Sequence, residues 1–282
     1  MVFEDLVKPI SAKRHPLKLF IYGVFFAVIA VLFSLLIFKE QASLVMVFLV
    51  VVMSMPLMYL TLRDEEQWDY KGYSERKLFG EHNKSIRFLM FLFVGFVVGF
   101  ALFFLFLPET SVKQLFNIQL QTISNINNGV SGDAIGFASF NLILINNLKV
   151  LFFCLTFAFF FGAGAIFILA WNASIISAAM GTFFRNALSK SINVFGFTKA
   201  ALYFHLFVLG LLRYLIHGIF EIGAYFFGAL AGGIISMALI KHGMQNKSFK
   251  RVIIDASLLT FMAIVLLVVG ALVEVFVTPV IF

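Results

Sequence analysis

Runs of about twenty apolar residues, each nearly free of charge, recur along this chain and leave it few ways to fold. The first, residues 17–38, carries a single charge, Lys18. Others fill 42–62, 86–107, 148–184, 198–240 and 252–276. An α-helix rises about 1.5 Å per residue, so about 20 residues cross the roughly 30 Å hydrocarbon core of a bilayer. Lipid offers no hydrogen bonds to the backbone, so only helices and closed barrels span it. Barrel strands alternate apolar and polar residues, whereas these runs are continuous, which selects helices. Composition agrees: 62% of the 282 residues are hydrophobic and 12% charged, against about 25% charged in a soluble domain. The expected fold is an all-α polytopic bundle.

Seven crossings are expected. Residues 148–184 are too long for one straight span, and the polar Trp171-Asn172 pair suggests a bend. Residues 198–240 make about two spans, interrupted by Arg213, His217-Gly218 and Glu221, which reads as a helical hairpin turning near His217. Thr278-Pro279 ends the last crossing. Charged residues 63–87 read as a solvated loop. In 109–146, Val112, Leu115, Phe116, Leu120, Ile123 and Ile126 recur at helical spacing. Lys113, Gln114, Asn117, Gln121 and Ser124 take the other side, as in an amphipathic helix on the membrane surface. Asn127-Asn128-Gly129 and Gly132-Asp133 should break it. The chain thus divides into an N-terminal membrane region (1–107), an extracytoplasmic connection (108–146) and a membrane core (147–282).

The net charge of +7 does not point to nucleic acid, because the basic residues sit in short loops between apolar runs. Residues 17–38 exceed a cleavable signal core and lack a small-x-small cleavage site, and so read as a retained anchor. With the N-terminus cytoplasmic, 17 of the 21 Lys and Arg fall inside: four in 8–18, six in 63–87, Arg185, Lys190 and Lys199, and four in 241–251. The C-terminus is then outside. The lone Cys154 reads as a small hydrophobe within a helix.

Two carboxylates, Glu221 and Glu274, interrupt apolar runs, where an ionised group costs about 2.5–3.5 kcal/mol on insertion scales. The topology puts both in the outer half of the membrane beside His217 and Arg213. His217 and Glu221 are four apart and share a helix face. The simplest reading is a structural polar knot, with Gly218 and Gly223 permitting close helix approach. A proton or cation path and a zinc site using His217, Glu221 and Glu274 as ligands are the other readings, with intramembrane hydrolysis the last. No His-Glu-x-x-His, Gly-x-Ser-x-Gly or phosphate-binding motif occurs, so neither an enzyme activity nor a cofactor is expected. Gly95 and Gly99 form a Gly-x-x-x-Gly pattern, usually helix packing and in some chains dimerisation.

Three motifs carry a family resemblance. Asn147-Leu148-Lys149, followed by Gly162-x-Gly164 and Trp171-Asn172, is the first. His217-Gly218-Ile219-Phe220-Glu221 is the second, and Glu274-Val275-Phe276-Val277-Thr278-Pro279 the third. Over about 146–282 the chain resembles the SpoIIM (stage II sporulation protein M, DUF95) membrane family. The family often has Pro before the His, where this chain has Ile216. The resemblance implies a non-enzymatic scaffold, because in spore formers such a protein acts with peptidoglycan-degrading partners during engulfment. Expected partners are the lipid bilayer, other membrane or envelope proteins and, for a homo-oligomer, further copies of this chain. The alternative is a transporter or channel for protons or cations built on His217, Glu221 and Glu274.

Overall fold

In the computed structural model, the residues described are 16–70, 75–130, 136–161, 165–189, 197–242 and 247–281. They form helices α1 (Pro16–Ile37), α2 (Ala42–Tyr70), α3 (Glu75–Phe106), α4 (Glu109–Leu115), α5 (Asn117–Val130), α6 (Phe137–Phe161), α7 (Ala165–Ser189), α8 (Phe197–His242) and α9 (Lys247–Leu272). A π-helical turn, Val273–Val277, and α10 (Thr278–Ile281) follow. Among the described residues, seven helices are long and apolar enough to cross a membrane, and every element is helical. The chain is a multi-pass helical membrane protein.

The count of seven holds, but two crossings differ from those expected. Residues 148–184 are divided between α6 and α7, which part at 162–164, outside the described residues. Trp171-Asn172 lies inside the unbroken α7. Conversely, no hairpin turns near His217, since α8 runs for 46 residues straight through it. At about 1.5 Å per residue α8 is roughly 69 Å long, and its candidate crossing is Ile216–Lys241. Arg213, His217 and Glu221 recur every fourth residue, so they mark one face of a helix rather than its end. Gly218 has no positive φ that would turn the chain.

Between Ile216 and Lys241, α8 is apolar around most of its circumference and is largely buried, as a central helix must be. Ala224, Ala229, Ala231 and Ala238 let its neighbours approach. At Gly232 a Cβ would fall 2.6 Å from the Leu155 carbonyl oxygen and 2.8 Å from Ala158 Cβ, so the backbones of α6 and α8 come close together there. The Gly95–Gly99 stripe serves a contact within the chain. A Cβ on Gly95 would sit 2.8 Å from Gly23 Cα, and one on Gly99 would sit 2.5 Å from Ala27 Cβ, so α1 and α3 cross at the closest range.

Polar ties close both ends of the bundle. At the end where α1 begins, the residues expected as a solvated loop extend α2 and α3 instead, apart from 71–74, which lie outside the described residues. Glu65, Glu66, His82 and Ser85 are buried there. His82 lies 2.6 Å from Glu65 through Nδ1 and 2.9 Å from Asp255 through Nε2. Ser85 Oγ donates to Glu65, and Lys241 Nζ donates to Glu66 at 2.6 Å. These charges are buried because they are paired, which hydropathy alone does not reveal.

At the opposite end, α4 and α5 confirm the expected amphipathic segment but wedge into the bundle rather than lying flat on a membrane surface. Val112, Leu115 and Phe116 are buried. Gln119 is also buried; it accepts from Ser43 Oγ at 2.6 Å and donates to Ser174 Oγ at 3.1 Å. The helix runs through Asn127-Asn128-Gly129 to Val130; Gly132-Asp133 lies outside the described residues. Arg185 donates to the Leu107 carbonyl at 2.5 Å. It therefore belongs to the end opposite His82, not among the basic residues of the N-terminal side. Lys190 lies outside the described residues.

Candidate functional site

The last crossing shows how local sequence places a functional side chain. Pro279 has no N–H and its ring collides with the carbonyl four residues back. The helix does not stop at Thr278-Pro279, as expected, but widens into the π turn Val273–Val277 and continues to Ile281. Both the backbone N–H and the hydroxyl of Thr278 donate to the Val273 carbonyl, the hydroxyl at 3.2 Å. Glu274 lies inside this widened turn, and its carboxyl neighbours that of Glu221.

Glu221 is held by Asn147, whose Nδ2 donates to Oε1 at 2.5 Å. Asn147 is buried, and its own Oδ1 accepts from the Tyr225 hydroxyl at 3.2 Å. The Tyr225 carbonyl in turn accepts from Cys154 Sγ at 3.3 Å; Cys154 is buried within α6, as expected. Asn147 and Cys154 stand on α6, Glu221 and Tyr225 on α8, so this chain of bonds fixes the register of two parallel helices.

These groups do not form a solid knot. They face a cavity of about 890 Å³, lined by Asn147, Asn172, His217, Gly218, Glu221 and Glu274 with Trp171 and Tyr225. Three distant motifs thus meet at one place. Asn172 Nδ2 donates to the Ile168 carbonyl one turn back. Arg213 lies on α8 one turn before His217, and its side chain is outside the described residues. Thr278 and Pro279 shape the backbone rather than line the space. His217, Glu221 and Glu274 do not assemble as zinc ligands: among the described residues, no three His, Cys, Asp or Glu side chains gather closely enough to hold a metal ion.

Gly218 and Gly223 were expected to permit close helix approach, and neither does. A Cβ on Gly218 would meet nothing within 4 Å, and one on Gly223 would make an ordinary 3.6 Å contact with Leu266. Close approach lies farther along α8, at Gly228 and Gly232. Sequence reasoning missed Tyr225, although it follows Glu221 by four residues as Glu221 follows His217, which puts all three on one face. It also missed the buried network of Glu65, His82 and Asp255, whose members are far apart in the sequence.

No curated protein and no solved structure matches the chain. The family model for stage II sporulation protein M matches residues 88–279, from α3 through the π turn, and so includes the amphipathic helices and every residue of the cavity motifs. The chain belongs to the SpoIIM family.

Proposed function

We propose that this chain is a non-enzymatic component of a membrane complex that organises or remodels the cell envelope, and that the cavity between α6, α7 and α8 is where it is engaged. The observation that carries this reading is the convergence of Asn147, Asn172, His217, Glu221 and Glu274 on one space inside the bundle. The likeness to a spore-former scaffold supplies the envelope role. Its N-terminus is cytoplasmic and its C-terminus outside. Lys18, Lys84, Arg87, Lys241, Lys250 and Arg251 at the α1 end support this, against Lys39, Lys113, Lys149 and Arg185 at the other. The partners are other envelope proteins or a second copy of the chain, bound through a surface other than the Gly95–Gly99 stripe.

A second reading, proton or cation transport, draws support from one feature. Glu221 and Glu274 face open space, whereas a purely structural knot would be dry and filled. Purified protein in liposomes containing a pH-sensitive dye, with a potassium gradient and valinomycin, separates the two. The scaffold reading expects flux equal to that of protein-free liposomes. Proton or cation flux that disappears in Glu221→Gln would replace it with transport.

A further inference from the structure

The cavity does not end at its polar face. A second space of about 240 Å³ lies between α3 and α8, lined by Val94, Val98, Leu102, Ile219 and Phe226, with no charged or amide side chain among its described lining residues. Ile176, Gly218 and Ile222 line both spaces. Val94, Leu102 and Ile219 are exposed on the outer surface of the bundle, where a membrane protein meets acyl chains. Of the three shared residues, only Gly218 lacks a side chain. Glycine costs a helix stability relative to alanine, and here no packing contact requires it. It lines both spaces, and open room surrounds the position its Cβ would take.

The chemistry of the two spaces differs along one axis. The larger space presents the carboxyls of Glu221 and Glu274 and the ring of Trp171, with no Lys or Arg among its described lining residues. Two neighbouring carboxyls with no Lys or Arg among the described residues beside them suit a cation. An ammonium supplies donors to the carboxyl oxygens and is attracted to an indole face. The smaller space offers only hydrocarbon. Its larger neighbour falls within the range of small-molecule sites, about 300–1,000 Å³.

We propose that the two spaces form one binding site for a single-chain cationic amphiphile, with its ammonium head at Glu221 and Glu274 and its tail passing Gly218 into the apolar space between α3 and α8. This rests on the cavity being the functional centre, and names what enters it.

Native mass spectrometry of the detergent-purified chain, titrated with dodecylamine, butylamine and dodecanoate, tests it. One dodecylamine per chain is expected. Butylamine should bind at least about a hundredfold more weakly, since it leaves the apolar space empty. Dodecanoate should not compete. Gly218→Leu, by blocking the gap, should weaken dodecylamine at least about tenfold more than it weakens butylamine. Gly218→Ala should unfold at or above the wild-type temperature, because its methyl has room and alanine favours the helix. Glu221→Gln should weaken both amines. Equal binding of dodecanoate would overturn the charge assignment and bring Arg213 into the site. Equal binding of butylamine, or undiminished dodecylamine binding by a folded Gly218→Leu, would overturn the tail path. A chain that binds dodecylamine and also conducts in liposomes loses the scaffold reading and keeps this one. A chain that neither binds nor conducts does the reverse.

Discussion

Asn147 Nδ2 lies 2.5 Å from Glu221 Oε1, although 74 residues separate them. Asn147 opens the first family motif and Glu221 closes the second, so the two motifs are halves of one contact between α6 and α8. Asn147 also accepts from Tyr225, which makes it the hub of a buried network. Replacing it with leucine keeps the volume but strips both partners of a hydrogen bond. An unsatisfied buried polar group costs about 1–3 kcal/mol. Asn147→Leu should therefore lower the thermal unfolding temperature clearly, and Tyr225→Phe should cost less. The double variant should be less destabilised than the sum of the two. Strict additivity in a detergent melting series would mean that the three side chains do not act together.

The second network makes a stronger demand. His82 bridges Glu65 and Asp255 across α2, α3 and α9, with Glu65 fully buried. Removing one member of a buried charged set costs about 3–5 kcal/mol, because the others remain without their compensation. His82→Ala should be among the most destabilising single changes in the chain. Adding Glu65→Gln should restore part of the loss by removing the stranded charge. Should His82→Ala melt within a degree of wild type, the network would be solvated rather than buried.

Hydropathy made the helical membrane fold and the number of crossings legible, because lipid imposes a length and an apolar composition that each run displays. It could not divide the runs correctly. A stretch twice the length of a span, such as 198–240, suits a hairpin and a single long helix equally well, and the polar residues at 213, 217 and 221 looked like a turn. In a continuous helix the same spacing marks one face, on which His217 and Glu221 line a cavity. The buried pairs at Glu65, Glu66 and His82 were illegible for a related reason: charge in a sequence reads as solvent exposure, and only packing brings the partners together. The site itself was half legible. His217, Glu221 and Glu274 were assembled from topology, though through a hairpin that does not exist, while the cavity they face has no signature in the sequence.

Glycines give a contrast that separates packing from propensity. Gly80 and Gly95 both lie in α3. A Cβ on Gly80 meets nothing within 4 Å, whereas one on Gly95 would sit 2.8 Å from Gly23 Cα. Gly80→Ala should stabilise the protein by up to about 1 kcal/mol through helix propensity alone. Gly95→Ala should destabilise by about 1–3 kcal/mol, since α1 must move away. Paired melting curves check the signs. If both variants were stabilised, the α1–α3 crossing would be looser than described.

On α4, Lys113 Nζ lies 2.6 Å from Glu109 Oε1, with both side chains mostly exposed. The hydrogen bond from Lys113, and then its charge, hold the Glu109 carboxyl below the usual carboxylate range. A carboxylate with a depressed folded value contributes stability above its unfolded value and loses that contribution as pH falls through the folded one. Lys113→Met should raise the Glu109 titration midpoint toward that of a free glutamate, as followed by carboxyl-carbon NMR. Exposure means that the melting temperature should scarcely change. An unmoved midpoint would show that the pair does not form in solution.

Pro279 offers the sharpest separation of shape from stability. It lies two residues beyond the π turn, and the turn sets the direction of Glu274. Alanine at 279 would restore the missing N–H and remove the ring that obstructs the carbonyl of Val275. The turn should then tighten to α geometry, in which one residue fewer per turn rotates the chain by up to about 100°. Since alanine favours a helix far more than proline does, Pro279→Ala should melt at or above the wild-type temperature. Glu274 should nonetheless leave Glu221. A short bis-methanethiosulfonate reagent reports the distance when cysteines replace both glutamates and Cys154→Ala removes the native thiol. Cross-linking should be efficient with Pro279 and fall severalfold in Pro279→Ala, with the fold intact. If cross-linking persists, the π turn has another cause, and the Thr-Pro ending of the motif serves something other than aiming Glu274.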